Sequence, residues 1–261
     1  MSSRSRFSDD DGIRIGDVLD NLTVAEPPHQ DDCLLHGAYP APEHVHVVTT
    51  QDALLQVKTH SESNVSVELG GVLLGKAFRA ADRLFVRVEA AIPAITDDNG
   101  PIHFTFTADA WTQIHVDRMA YPNLDIVGWF HTHPDLGVFY SADDEVVHAA
   151  AFTQPWHVGL VVDPVRDQAS FFGWIDGAPR PLPGFYELIP ADAGEEGEIP
   201  RAVVNWEVVI DDSWFMPPQT AGAAPHIIYN DGIPPEAVYL PMAFSLLSLI
   251  VSAVALYFAL R

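Results

Sequence analysis

The chain is poor in cysteine and in positive charge. Cys33 is the only cysteine among 261 residues, so no disulfide can close within the chain and no thiolate cluster can hold a metal. A reducing compartment suits such a chain. Lysine occurs twice, at Lys58 and Lys76, and 13 basic residues face 36 acidic ones for a formal charge of −23. That sign repels a phosphate backbone, so nucleic acid is not an expected partner. A basic protein surface is the partner that electrostatics favours. The first twelve residues are polar and acidic and lack the apolar stretch of a secretory signal, so none is expected. Gly70-Gly71 has no Walker pattern around it; close backbone packing on a strand explains the pair better than phosphate binding.

Charge is missing altogether from Leu240–Leu260, and the apolar stretch extends back to Val238. As a helix, residues 238–260 would span roughly 35 Å, against a hydrocarbon core of about 30 Å. The expectation is a C-terminal transmembrane helix, a tail anchor that leaves the preceding domain in the cytoplasm. Residues 1–42 carry Asp9-Asp10-Asp11 and four prolines and read as an acidic, disordered arm. Residues 43–190 read as one domain. Residues 191–237 read as an acidic, Pro-rich linker with a possible extra strand at 203–210, where Val204, Trp206, Val208 and Ile210 alternate with more polar neighbours.

Within the domain, Val45–Val48, Glu68–Gly75, Leu84–Ala90, Leu124–Phe130, His157–Val162 and Ser170–Ile175 read as strands. Gln51–Glu62, with Leu54, Leu55 and Lys58 on one side, Ala108–Ala120 and Ser141–Phe152 read as helices. This order implies an α/β fold with a mixed, mainly antiparallel sheet flanked by helices.

The chemistry concentrates at His131-Thr132-His133, followed after seven residues by Ser141-x-x-Asp144. Two histidines two apart on an extended segment leave the same face. Asp144 arrives from a separate element. Two nitrogens and one carboxylate oxygen suit zinc and leave its fourth position open. A carboxylate that moves protons completes a hydrolytic site, and Glu68 is the only glutamate in the apolar Val65–Gly75 segment. Ser141-Ala142-Asp143-Asp144 also reads as a helix start, with Ser141 as cap and Asp144 as its reciprocal acid. Asp143 is the rival ligand. His148, one turn beyond Asp144, is a candidate supporting residue. Asp135, Phe139 and Tyr140 are candidates for lining a substrate groove. Trp129 and Phe130 read as core, and His103, His115 and His157 as structural.

These residues resemble a known pattern. Glu68-x-x-Gly71, His131-x-His133 and Ser141-x-x-Asp144, with Gly128-Trp129-Phe130 and Pro134 around them, are similar to the JAMM motif of the MPN/JAB (Mov34/PAD-1) metalloproteases. The likeness covers roughly residues 43–190. It implies a cytidine-deaminase-like fold and one Zn2+ held by His131, His133 and Asp144. It further implies Glu68 as general base and Ser141 as oxyanion donor. The implied substrate is a bond after the C-terminal tail of ubiquitin or a ubiquitin-like protein. The short connections fit the compact, prokaryotic-type branch. Ile102–Phe106 is a candidate edge for an extended tail. Two alternatives accompany this reading: a peptidase acting on a ubiquitin-fold sulfur carrier, and a non-catalytic scaffold at a membrane.

Overall fold

The structure, a computed structural model, describes residues 19, 21–80, 83–190 and 201–210. The expected membrane helix at 238–260 lies outside the described residues; within them, no helix is long and apolar enough to cross a membrane. The strands are β1 (Thr23–Val24), β2 (Cys33–Gly37), β3 (His46–Thr50), β4 (Gly70–Arg79), β5 (Leu84–Pro93), β6 (Asn99–Gly100) and β7 (His103–Phe104). They continue as β8 (Asp125–Thr132), β9 (Val158–Asp163), β10 (Gln168–Ile175), β11 (Ala178–Pro181), β12 (Gly184–Leu188) and β13 (Glu207–Val208). Among the described residues the α-helices α1 (Gln51–Ser63), α2 (Ala108–Asp117) and α3 (Ala142–Ala151) accompany them.

One sheet runs in the order β11-β10-β9-β8-β4-β5-β3-β12-β2, with β1 beside β4 and β13 beside β10. The sheet is mixed, as expected: five of its ten pairings are parallel, and the longest pairings, β4 with β5 and β4 with β8, are antiparallel. The hairpin-joined β4 and β5 pair antiparallel, whereas β8 and β9 lie parallel because α3 carries the chain back between them.

Strand alternation sends side chains to two cores. Leu73, Phe130, Leu160 and Phe171 face α1, whose Ala53, Leu54 and Val57 are buried against them. Leu55 turns the other way and is 43% exposed, contrary to the expected apolar side of this helix. Its neighbours Ala53, Leu54 and Val57 supply the inward stripe instead. On the opposite face Val72, Trp129, Val161 and Phe172 pack with Ala110 and Ile114 of α2 and with Phe152 after α3. Helices start where the sequence supplies caps: Thr50, Thr107 and Ser141 each accept a backbone N–H of the first turn.

The expected arm needs shortening at its C-terminal end. Cys33–Gly37 is a sheet strand, paired antiparallel with β12. Its prolines mislead because Pro40 and Pro42 belong to the connection into β3 rather than to an arm. Of the segment 201–210, only Glu207–Val208 forms a strand. Val204 and Trp206 are buried in the first core, and β13 pairs with β10.

Candidate metal centre

His131 lies near the end of β8, and His133 follows where the strand stops before Pro134. The strand is pinned there from both sides. The His133 N–H donates to Val162 O (2.9 Å) on the β9 side, and the Thr132 N–H donates to Leu69 O (2.8 Å) on the β4 side. Leu69 returns a bond, its N–H donating to Thr132 Oγ1 at 2.9 Å. This lattice fixes Glu68 next to the histidines. Glu68 sits just before β4 rather than within it, with its own N–H donating to Gly100 O at 2.7 Å. Gly70 makes the approach possible: a Cβ there would stand 2.5 Å from the Phe104 ring and 2.8 Å from Phe130 O.

The site residues expected from the sequence come together. The Nε2 atoms of His131 and His133 lie 3.1 Å apart. Asp144 Oδ1 is 3.2 Å from His131 Nε2, and Asp144 Oδ2 is 3.7 Å from His133 Nε2. One ligand atom from each of the three side chains lies within 4.8 Å of the others. Glu68 Oε1 is 3.8 Å from His133 Nε2. Asp143 is exposed and stands outside this cluster.

Asp144 divides its oxygens between two tasks. Ser141 caps α3 in a reciprocal capping box: the Asp144 N–H donates to Ser141 Oγ (3.2 Å), and the Ser141 N–H donates to Asp144 Oδ2 (2.7 Å). The Ser141 hydroxyl also donates to Oδ2 at 2.7 Å. Oδ1 remains directed at His131. The cap reading and the ligand reading of these residues are therefore compatible, because the cap uses one oxygen and leaves the other.

The donor set fits a divalent ion. The three side chains are at most 13% exposed. The Nδ1 of His133 donates to Gly137 O at 3.2 Å, so Nε2 carries its lone pair toward the cluster. Burial and the neighbouring His131 hold the His133 pKa down to about 4, keeping the ring neutral as a ligand must be. Burial alone would raise the Asp144 carboxyl, but His131 and the bonds from Ser141 outweigh it and hold it below the usual carboxylate range. Glu68 behaves oppositely. Burial lifts its pKa to about 7, with His131 opposing and Asp144 adding to the rise. A carboxyl poised there can both take and return a proton at neutral pH.

Several neighbours brace the cluster. Trp129 stacks on His131, with ring centroids 4.5 Å apart and planes 10° apart. Tyr140 is buried rather than groove-lining, stacked at 4.0 Å on Phe172. Its loop folds inward because its hydroxyl donates to His148 Nδ1 (3.1 Å), which also receives the Trp129 Nε1–H (3.3 Å). His148 thus supports the wall behind His131, and burial with His157 nearby holds its pKa to about 3. Phe139 stays 40% exposed with its ring 4.6 Å from that of His133, and Asp135 is exposed and paired with Arg166. His103 and His115 are exposed and away from the cluster, while His157 Nδ1 accepts the Gln154 N–H at 3.2 Å. Asp163 is fully buried at the end of β9.

Residues 50–173 match the family described as prokaryotic homologs of the JAB domain. Over these residues the chain is similar to the JAB/MPN family. The match encloses β8, α3 and the His131, His133 and Asp144 cluster. COP9 signalosome complex subunit 5 of Eremothecium gossypii is 28% identical over 134 residues, covering 50% of this chain and 30% of that protein. The subunit 5 of Dictyostelium discoideum is 27% identical over 173 residues, covering 61% and 48%. That of Caenorhabditis elegans is 28% identical over 166 residues, covering 59% and 41%. The chain therefore spans less than half the length of these curated relatives.

Proposed function

We propose that this domain is a zinc-dependent isopeptidase or peptidase that cleaves after the C-terminal tail of a ubiquitin-like protein. The observation that carries the reading is the convergence of His131, His133 and Asp144 with the Glu68 carboxyl 3.8 Å from one of the imidazoles. In this proposal His131 Nε2, His133 Nε2 and Asp144 Oδ1 hold one Zn2+. Bound zinc supplies Lewis acidity, polarising the scissile carbonyl and acidifying water to a pKa of about 7.

The rest falls to the chain's own residues. Glu68 accepts the proton of the attacking water at its carboxylate and returns a proton to the departing amine. Its elevated pKa lets it hold that proton between the two events. The Ser141 hydroxyl turns from Asp144 Oδ2 toward the developing oxyanion while its backbone N–H keeps the cap. Phe139 and Asp135 flank the approach, and the β6–β7 hairpin beside Glu68 offers Ile102, 77% exposed, to an incoming extended tail. The uncharged run 238–260 serves as the membrane anchor, with the domain on the cytoplasmic side.

The test begins with the metal content of the purified chain and its cleavage of a ubiquitin-like fusion. Wild type is expected to hold one zinc and to cut. His131→Ala should lose both, and Glu68→Gln should keep zinc and lose cleavage. A Glu68→Gln protein that cuts at the wild-type rate removes Glu68 from its role. A wild type without zinc removes the proposal. Extraction of the full chain from membranes by carbonate wash tests the anchor separately: an anchored chain stays in the pellet.

A further inference from the structure

The loop that follows His133 is held by a carboxylate that does not reach the metal cluster. Asp163 is fully buried at the end of β9. Its Oδ1 accepts the N–H groups of Asp135 (3.0 Å), Val165 (3.0 Å) and Arg166 (3.1 Å), and its Oδ2 accepts that of Gly137 (2.8 Å). One side chain thus satisfies four backbone donors from two separate turns, well beyond what an ordinary turn aspartate needs. The loop it binds is not one the chain adopts freely. Asp135 has φ +59° and Gly137 φ +86°, both left-handed, and the former is uncommon for a residue with a Cβ. Arg166 closes the frame from outside, donating through Nε to Asp135 Oδ1 (3.0 Å) and through NH2 to Asp135 O (2.6 Å).

Gly137 passes this constraint on. Its N–H is fixed by Asp163, and its carbonyl, in the same short loop, accepts from Nδ1 of His133 at 3.2 Å. His131 has no such relay: its Nδ1 is buried without a hydrogen-bond partner among the described residues, and Trp129 holds the ring by stacking. We infer that Asp163 is a positioning residue of the metal centre, which through Gly137 sets the tautomer and direction of His133, with Arg166 steadying the same loop. The inference rests on reading His131, His133 and Asp144 as metal ligands. Outer partners of metal-bound histidines typically change affinity by about 10–100-fold when lost.

The test uses the full chain, with zinc affinity measured by competition against a chromophoric chelator. The His133 tautomer is read from imidazole nitrogen shifts of the metal-free protein. Asp163→Asn keeps the size of the side chain but cannot present acceptor oxygens to both turns. It is expected to weaken zinc by about 10–100-fold and to move His133 from an Nδ1–H form to a mixture. Arg166→Gln leaves Asp163 in place and is expected to weaken zinc by a smaller factor in the same direction. An Asp163→Asn protein that binds zinc within twofold of wild type and keeps the Nδ1–H form overturns the inference. If Asp163→Asn does not fold, unchanged zinc affinity and tautomer in Arg166→Gln overturn it. A wild type that takes up no zinc fails the metal reading instead, and the tautomer measurement then still decides the Asp163–Gly137–His133 relay.

Discussion

Glu68 and Glu187 are both buried carboxylates, and their acidities move in opposite directions. Glu187 lies on β12, fully buried. Burial pushes its carboxyl up, but it accepts from His36 Nε2 (2.8 Å), from Gln51 Nε2 (2.7 Å) and from the Val203 N–H (2.9 Å), and these bonds leave its pKa lowered overall. Glu68 is 5% exposed and receives no comparable set of donors among the described residues. Burial therefore wins there and lifts the pKa to about 7. Loss of water is common to both sites; the supply of donors decides the sign. Glu187 joins β2, α1 and the 201–208 segment, and its charge is fully used in doing so. Glu68 keeps a proton affinity that no structural bond consumes.

The most damaging way to probe this contrast is to empty the Glu187 site. Glu187→Ala would take the shared acceptor from His36, Gln51 and Val203, at a cost of about 1–3 kcal/mol for each donor left unsatisfied. Urea unfolding should show a loss of several kcal/mol, on the order of the 3–5 kcal/mol seen when one partner of a buried pair is removed. A loss below about 1 kcal/mol would mean that water reaches the site and the comparison fails. The pH profile gives the second effect. A carboxyl whose folded pKa is lowered adds stability above its unfolded value, near 4.3, and loses it as pH falls through the folded value. Acid should therefore loosen the Val203–Trp206 segment, an outcome visible as faster amide exchange there below about pH 4.

Ser141→Ala is milder on the fold and sharper on the chemistry. Removing an N-cap side chain costs about 1 kcal/mol. Losing an oxyanion donor typically costs about 10²–10³ in rate. Because the hydroxyl also holds Asp144 Oδ2 at 2.7 Å, metal affinity should fall with it. Steady-state rates at saturating zinc separate the two contributions: a variant restored fully by zinc would have lost only its hold on Asp144.

What could be read from the chain follows from how local each signal is. The two histidines share a strand, and Ser141 and Asp144 share a helix start, so their spacing alone carries most of the centre. Glu68 was reachable because few acids interrupt an apolar run. Asp163 was not, since its four donors come from two turns that only β9 and the loop after β8 bring together. The inward turn of Tyr140 likewise depends on Phe172 of β10, distant in sequence. Strand pattern showed where the sheet would be but not how the strands run. Parallel neighbours such as β3 and β12 are joined only through long excursions that alternation does not encode.

Glu68→Gln should not cost stability at all, and the direction of the change is informative. In metal-free protein at pH values between about 4.5 and about 7, folded Glu68 keeps a proton that the unfolded chain has released. Stability falls with rising pH wherever the folded state binds more protons, so Glu68 contributes a downward slope across that window, opposite to the Glu187 contribution at lower pH. Glutamine imitates the protonated form and has no charge to desolvate. The variant should match wild type near pH 4.5 and be more stable near pH 8, with cleavage lost. Thermal melts of chelator-treated wild type and variant across that range check the slope. A variant that melts lower than wild type at pH 8 would mean that Glu68, like Glu187, is held as a charge by the fold, and the distinction between the working carboxylate and the structural one would go with it.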